Sequence, residues 1–529
     1  MTESQFFDKA ACAAPHIAAV QAGRAVLAEG GNALEAMIAM AAVIAVVYPH
    51  MNSIGGDGFW VIREPGGRVR YIEACGPAGH RATRERYRQL GHDTIPPRGP
   101  LSAVTIPGTI GGWALAQEMA KHLGGRLPLA DLLGEAVRLA RDGTPVSPSE
   151  ARTHPFEADA LKQAPGYAGT YLVDGKVPEA GAVRQFPALA ATLAHLGQAG
   201  LDDFYRGDIG RELAADMDAI EAGGTRADLE AYRAAWREPL SLRLHGQTLY
   251  NAPPPTQGLA SLIILGLFDR LGVKEPESFA HIHGLIEASK RALAIRDRVC
   301  TDFEQLRHAP EDFLTPEALA REAALIDPKR AATIPVKAAT GDTVWMGATD
   351  ASGLAVSFIQ SIYWEYGSGC VLPRTGVLLQ NRGISFSLDP QAVNPLAPGR
   401  RPTHTLNPAL AVLRDGRVVS YGSMGGDGQP QFQAQVLTRL LFGESVAAAI
   451  DRPRFLFGKT WGTAVSSLRC EPRFDDGLIA ALRRAGHDVE LAGEPYSDTF
   501  GHAGALVRRA DGRIEAGHDP RSDGGAAGI

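Results

Sequence analysis

The sequence predicts a layered α+β protein in which β-sheets lie in the middle and helices lie outside. The chain has 529 residues, of which 45% are hydrophobic and 21% are charged, as in ordinary folded proteins. Helical spacing of apolar residues dominates the first part of the chain, whereas the period-two alternation of strands is common after residue 343. Sixty glycines and 35 prolines indicate many tight turns. Together these features favour sheets covered by helices.

The first elements are predicted to be helices. Residues 16–29 have helical spacing, and Asn32 is expected to cap a second helix that ends near Tyr48. Because this second helix is apolar on all sides, it should be buried under other layers. A glycine loop at 53–58 and a hairpin over 59–74 follow it.

The middle of the chain is less regular. Residues 144–183 contain five prolines and are predicted to be rich in loops. One strand is expected over 240–250, before a proline-rich break and two helices, of which the longer spans 279–299. His281 and His283 lie two residues apart in this helix and cannot share one face, so they are expected to cap or pack rather than bind a metal.

Charge and cysteine content narrow the classes of function. A formal net charge of -6 without a long basic run argues against nucleic acid as a partner. The five cysteines are far apart and form no CxxC pair, which indicates reduced thiols in a cytoplasmic protein. The N-terminus lacks the basic and apolar regions of a signal peptide. The most apolar run, 33–48, is shorter than the ~20 residues of a membrane span.

Residues 341–350 contain the candidate nucleophile, Thr343. A threonine hydroxyl reacts readily only beside a base, and a cut before the threonine supplies its own α-amine as that base. We therefore predict a precursor that cuts itself between Asp342 and Thr343, giving chains 1–342 and 343–529. Thr340, Gly341 and Asp342 would then form the exposed end of the first chain in the processed protein. Without further context, a threonine between aspartate and valine is more often an ordinary structural residue.

Six short motifs occur in a common order along the chain and carry a family resemblance: 54–59 (IGGDGF), 106–109 (IPGT), 204–207 (FYRG), 237–240 (REPL), 253–255 (PPP) and 422–426 (GSMGG). With these motifs the sequence resembles the γ-glutamyltransferase family of N-terminal-nucleophile hydrolases along nearly its whole length. The resemblance implies a four-layer αββα sandwich, formed as one intertwined domain by two autocleaved chains. It also implies a heterodimer of these chains, and it leaves open whether two heterodimers associate.

The resemblance assigns the catalytic groups. Thr343 falls at the family's nucleophile position, and the backbone N–H groups of Gly425 and Gly426 fall at its oxyanion hole, where glycine permits close approach of the acyl group. Arg84 falls where the family has an arginine that binds the substrate carboxylate, with Arg81 as the competing candidate. No metal or organic cofactor is required.

The positions around the substrate depart from the family pattern. Where the family holds an ammonium group with an acid, amides and hydroxyls, this chain has Ser361, Tyr363, Arg382, Ser385, His404 and Thr405. A pocket that has lost a carboxylate and gained a guanidinium should favour a small anion over an amino acid.

These departures resemble the oxamate amidohydrolase branch of the family, which implies an N-terminal threonine amidohydrolase that converts oxamate to oxalate and ammonia. A γ-glutamyl hydrolase or transpeptidase and a glutaryl- or cephalosporin-type acylase are the alternative enzymes. An uncleaved, inactive homologue that acts as a binding protein is the alternative outside catalysis.

Overall fold

The computed structural model describes residues 4–334, 341–458 and 467–529, except for the side chains of residues 155–158 and Asp342. Thr340 and the predicted approach to the cut site at 335–340 lie outside these residues. Within the described part, all five cysteines are buried and free. None of the helices described there combines the length and the apolar character that crossing a membrane requires.

The helices of the described residues fall into an early group and a late group. They are α1 (Ile17–Ala28), α2 (Ala33–Val47), α3 (Arg84–Gln89), α4 (Thr109–His122), α5 (Leu129–Asp142), α6 (Pro148–Leu161), α7 (Tyr167–Tyr171), α8 (Pro187–Ala199), α9 (Asp203–Arg206), α10 (Asp208–Ala219), α11 (Arg226–Ala231), α12 (Gly258–Arg270), α13 (Phe279–Val299), α14 (Pro316–Ala323), α15 (Gln429–Leu441), α16 (Val446–Asp451) and α17 (Asp476–Arg484).

The strands come from all parts of the chain. They are β1 (Gln5–Phe7), β2 (Ala11–Ala14), β3 (Asp57–Arg63), β4 (Val69–Ala74), β5 (Thr144–Pro145), β6 (Val183–Arg184), β7 (Ala235–Arg237), β8 (Leu240–Leu244), β9 (Gln247–Asn251), β10 (Asp342–Thr349), β11 (Ala355–Tyr363), β12 (Ala409–Val412), β13 (Val418–Ser423), β14 (Phe455–Phe457), β15 (Leu468–Cys470), β16 (Val489–Leu491), β17 (Ala503–Arg508), β18 (Ile514–His518) and β19 (Gly525–Gly528).

Two large sheets form the centre of the molecule. One has the strand order β1-β18-β17-β13-β12-β9-β8, and the other has the order β19-β2-β10-β11-β3-β4-β7. Helices α2 and α4 pack on the second sheet, while α12, α15 and α16 pack on the first. Three apolar cores separate these layers, one between the sheets and one under each group of helices. The predicted αββα sandwich is therefore confirmed.

Helix α2 shows how the sequence builds a buried layer. The Asn32 side chain accepts hydrogen bonds from the N–H groups of Leu34 and Glu35, and the Glu35 carboxylate accepts one from Asn32 N–H. This capping box satisfies the first turn of a helix that has no exposed face. Every residue from Ala33 to Val47 is buried, as expected for an all-apolar helix.

Two predictions of local structure were wrong. Residues 240–250 form two strands, β8 and β9, because His245 and Gly246 adopt positive φ angles of 48° and 83° and reverse the chain. The proline-rich region 144–183 contains helices α6 and α7. Pro148 stands in the first turn of α6, where a missing N–H costs nothing.

Candidate active site

The β10–β11 hairpin places Thr343 near the start of β10, at one end of the sheet that also contains β2 and β3. Asp342 pairs with Tyr363 and Val344 pairs with Gln360, so the register shifts by one residue opposite Thr343. Such an irregularity re-aims the side chain that it contains. Thr343 is only 1% exposed, which places the candidate nucleophile inside the protein.

Trp345 fixes the start of β10 between the two sheets. Its indole N–H donates to Ser357 Oγ at 2.9 Å. A Cβ added to Gly422 or Gly504 on the facing sheet would lie 2.0 or 2.2 Å from the indole ring, so these two glycines leave the space that the ring fills. The tryptophan therefore occupies a layer that a smaller residue would leave loosely packed.

The chain just before Thr343 lies against the wall of a cavity. A Cβ built on Gly341 would be 2.8 Å from the Tyr363 ring and 3.6 Å from Thr405 Oγ1. The cavity has a volume of about 380 Å³. Its lining brings together five of the predicted substrate-binding residues, Tyr363, Arg382, Ser385, His404 and Thr405.

Arg382 supplies a buried positive charge to this cavity. Its guanidinium carbon lies 3.7 Å from the centre of the Tyr363 ring, and its terminal nitrogens lie 3.4 and 3.5 Å from Thr405 Oγ1. Burial lowers the pKa of Arg382 to about 10, so the side chain is still a cation at neutral pH. Of the carboxylates whose side chains the structure describes, none forms an ion pair with it. A buried cation without a carboxylate partner favours an anionic ligand.

Asp57 and His404 form a second polar pair behind Arg382. Asp57 Oδ1 accepts the N–H groups of Gly76 and Gly108, both at 3.1 Å, and Oδ2 lies 3.6 Å from His404 Nε2. Burial raises the pKa of Asp57 to about 7. Burial and, after it, the charge of Arg382 lower the pKa of His404 well below its ordinary value, so this imidazole is neutral.

Two of the predicted serines are engaged by the backbone. Ser385 Oγ donates to the carbonyls of Arg382 and Thr403, both at 3.0 Å, and so closes the turn that carries the guanidinium. Ser361 Oγ accepts the N–H of Tyr363 at 2.8 Å, although Ser361 is not part of the cavity lining. It thereby supports Tyr363, which adopts an unusual φ of 85°.

The candidate oxyanion hole follows strand β13. Gly425 and Gly426 have φ angles of 119° and 51°, which favour glycine. In the part of the chain that the structure describes, neither N–H donates a hydrogen bond to the protein. Two of the neighbouring carbonyls are held, because Met424 O accepts from Ser423 Oγ and Gly425 O accepts from Gly428 N–H. Since each peptide is planar, these bonds also fix the direction of the two N–H groups.

Arg84 stands apart from these groups. It begins helix α3, is half-buried and is not among the residues that line the cavity. Its competitor Arg81 donates to Asp218 at 2.7 Å. The geometry thus gathers Arg382 at the cavity and places neither of the other two arginines there.

A second cluster of titratable groups lies away from the cavity. His283, Glu287 and His487 have the spacing of metal ligands. However, Lys290 Nζ lies 2.7 Å from Glu287 and already balances its charge, and His283 Nδ1 lies 2.8 Å from His487 Nε2. The cluster is complete as a hydrogen-bonded network.

Sequence reasoning missed three buried residues at the site: Asp57, Gln257 and Arg296. Asp57 lies inside the IGGDGF motif, and Gln257 follows the three prolines at 253–255, so both were within signals already recognised. Arg296 is one of several arginines on an amphipathic helix. Only the tertiary structure shows that α13 turns it toward the cavity.

Comparison with known proteins agrees with this architecture. The sequence profile described as gamma-glutamyltranspeptidase matches residues 19–529. An oxamate amidohydrolase proenzyme of Klebsiella pneumoniae is 51% identical over 517 residues, which cover 97% of each chain. A glutathione hydrolase-like proenzyme of Bacillus subtilis, YwrD, is 37% identical and is covered over 100% of both chains.

A solved structure extends the similarity to three dimensions. The crystal structure of a cephalosporin acylase from Bacillus halodurans superposes with a TM-score of 0.92 at 31% identity. The match covers 100% of this chain and 97% of that chain. The similarity thus extends over both halves of the molecule.

Proposed function

The chain belongs to the gamma-glutamyltranspeptidase family and is an autoprocessing amide hydrolase, and we propose that it cuts itself before Thr343 and hydrolyses a small anionic amide, with oxamate as the first candidate. The proposed products of processing are chains 1–342 and 343–529, which stay together as a heterodimer. The curated relative at 51% identity, an oxamate amidohydrolase proenzyme, supports this substrate.

The proposed reaction uses the Thr343 hydroxyl twice. In the precursor, Oγ attacks the Asp342 carbonyl and the C–N bond between Asp342 and Thr343 breaks, which frees the α-amine and leaves an ester. Water then hydrolyses this ester, which releases the Asp342 carboxylate and restores the Thr343 hydroxyl. In the mature enzyme this amine, whose ordinary pKa is ~8, takes the proton from Oγ. Oγ then attacks the oxamate amide carbon, the N–H groups of Gly425 and Gly426 stabilise the oxyanion, and ammonia leaves. Water finally hydrolyses the acyl-threonine and releases oxalate.

The observation that carries the proposal is the buried Arg382 cation. The carboxylate of oxamate is bonded directly to the reacting carbonyl, so a cation that binds it must lie close to the nucleophile. Arg382 contacts Tyr363 and Thr405, and Gly341, two residues before Thr343, lies against the same two side chains. A guanidinium in this position matches a carboxylate in charge and in its paired donors.

A γ-glutamyl substrate fits these groups less well. Its α-ammonium group needs a negatively charged partner, but Ser385, which stands where the family has an acid, carries no charge. Arg382 would repel the ammonium instead.

A glutaryl- or cephalosporin-type acylase is the second candidate function. A cavity of about 380 Å³ offers more space than the six heavy atoms of oxamate require. An N-acyl side chain that carries a carboxylate but no ammonium would also satisfy Arg382. The similarity to a cephalosporin acylase structure supports this alternative.

The first test combines intact mass under denaturing conditions with an ammonia assay. We expect two chains, 1–342 and 343–529, and ammonia release from oxamate that exceeds hydrolysis of γ-glutamyl and glutaryl amides assayed in parallel. Thr343→Ala should remain a single chain and release no ammonia. A soluble, uncut parent chain without activity would contradict the proposal, and faster hydrolysis of glutaryl amides would favour the second candidate.

A further inference from the structure

We propose that Gln257 is a positioning residue that locks the oxyanion hole to the substrate-binding loop. This inference rests on the proposed function, because it takes Gly425 and Gly426 as the oxyanion donors. Gln257 precedes helix α12 and is 1% exposed. Its side chain reaches two segments that follow it by about 150 and 170 positions in the chain.

The contacts of the Gln257 amide explain this role. Its Nε2 donates to Gly426 O at 2.7 Å and to Thr405 O at 2.8 Å. Its Oε1 accepts from Arg296 at 2.7 Å. One planar group therefore joins the glycine turn, the loop that carries Thr405 and helix α13.

The orientation of this amide is fixed by chemistry. Carbonyl oxygens can only accept hydrogen bonds and a guanidinium can only donate them, so Nε2 must face Gly426 and Thr405 while Oε1 faces Arg296. Arg296 is itself held by ion pairs with Asp427, the residue after Gly426, and with Asp297. Burial acts to lower the pKa of Arg296, but these two carboxylates raise it above its ordinary value, so the cation is permanent.

Gly426 needs such a partner because glycine resists only weakly a change in its backbone angles. The Gly428 N–H holds the peptide before Gly426, while the Gln429 N–H and Gln257 both hold the peptide after it, and of these three bonds the one from Gln257 is the only one that comes from outside the turn. Without the Gln257 bond, Gly426 O keeps only the local bond from Gln429 N–H, and the glycine turn is no longer tied to the loop that carries Thr405. The turn can then shift as a unit and carry the N–H groups of Gly425 and Gly426 away from the oxyanion. Thr405 O would lose its partner at the same time, and its side chain is a contact of Arg382.

A matched pair of variants tests the proposal. Gln257→Glu keeps the size and the acceptor for Arg296 but removes both donations. Gln435→Glu is the control, because Gln435 is equally buried and its Nε2 also donates to two carbonyls, Gln431 O at 3.2 Å and Phe455 O at 3.0 Å, outside the cavity lining. We would measure kcat and KM per mole of cleaved enzyme, together with Tm and the rate of self-cleavage.

We expect Gln257→Glu to lower kcat by about 10- to 100-fold, short of the loss of a whole oxyanion donor. Gln435→Glu should lower Tm by about as much as Gln257→Glu does, because both variants lose two buried hydrogen bonds. It should nevertheless leave kcat within threefold of the parent value. A folded Gln257→Glu chain that stays uncut while the control matures would also support the proposal. If either variant fails to fold, Gln257→Met and Gln435→Met replace the pair.

The proposal is overturned if kcat of Gln257→Glu stays within threefold of the parent value, or if the control loses as much activity. A parent enzyme that releases no ammonia from oxamate would count against the proposed substrate alone. The two variants would then be compared with whichever amide the parent hydrolyses, or by their rates of self-cleavage.

Discussion

At the scale of single residues, Arg382 combines burial, a full charge and a place on the cavity wall. We expect Arg382→Gln to raise KM for oxamate by about 10- to 100-fold, because a charge-assisted hydrogen bond is worth about 1.5–3 kcal/mol. Oxamide, the neutral diamide, serves as the control substrate because it has no carboxylate to lose. Steady-state ammonia release from both substrates measures the difference.

The variant Arg84→Gln tests whether Arg84 or Arg382 binds the substrate carboxylate. Because Arg84 does not line the cavity, we expect its loss to change KM for oxamate less than twofold. A larger effect at Arg84 than at Arg382, or equal losses for oxamate and oxamide in Arg382→Gln, would show that Arg382 does not bind the carboxylate.

Asp57 gives a prediction about pH. Its pKa is about 7 in the fold and 3.8 in the unfolded chain, so between these values the folded state retains a proton that the unfolded state has lost. The resulting stabilisation is complete below the unfolded pKa and is lost as the pH rises through 7. Asn resembles the protonated acid, since it offers one acceptor and one donor group. We therefore expect the Tm of the parent minus the Tm of Asp57→Asn to decrease as the pH is raised from 5 to 8.

Asp415→Asn is the control for this pH series. Burial acts to raise the pKa of Asp415, but the hydrogen bonds and charge of Arg417 together lower it. Asp415 is therefore ionised from pH 5 to pH 8, and the Tm difference between the parent and Asp415→Asn should be constant over this range. A constant difference for Asp57→Asn as well would mean that Asp57 is also ionised in the folded protein at pH 5.

At the scale of elements, the sequence predicted the helices whose caps and apolar spacing lie within one continuous stretch. The Asn32 cap and apolar run of α2 and the amphipathic spacing of α13 predicted both helices nearly to the residue, because each pattern is contained in one continuous stretch. The two-residue reversal at His245 was missed, since histidine rarely adopts a positive φ and so gives no turn signal. Glycine or asparagine in that place would have predicted the hairpin.

The residues of the candidate site also fall into those that a local motif predicts and those that only long-range contacts reveal. Thr343 could be proposed as the nucleophile because its stretch and the glycines at 425 and 426 form recognisable motifs, and Arg382 could be proposed as a binding residue because it departs from one. Gln257 and Arg296 act through contacts between residues 39 to 169 positions apart, which no local pattern encodes. The sequence thus led to the candidate reacting groups, whereas the structure was needed to find the groups that are proposed to hold them in place.

At the scale of the whole molecule, the proposed cut separates strands that remain interleaved. In one sheet, β10 and β11 lie between β2 and β3, and in the other β12 pairs with β9. Each of these contacts joins residues before position 343 to residues after it. The αββα sandwich can therefore be cut once without dividing any of its three apolar cores.

The segment that leads to the cut is also anchored to the fold. His283 Nε2 donates to Asp327 O at 2.8 Å, Glu287 accepts from Ala332 N–H at 3.0 Å, and Lys290 donates to Ala332 O at 2.9 Å. These buried groups hold the chain through residue 332, and their contacts do not depend on the bond before Thr343. The end of the large chain should stay attached at this point after cleavage.

Processed enzyme should therefore behave as one particle until it is denatured. We expect both chains to elute together in size-exclusion chromatography at the position of uncut Thr343→Ala, and native mass spectrometry to give one species or a multiple of it. Denaturant should release two chains, since only then are the shared ladders of β10, β11 and β12 broken. Separate elution of the two chains in native buffer would contradict the interleaved architecture, because those backbone hydrogen bonds would have to break without denaturant.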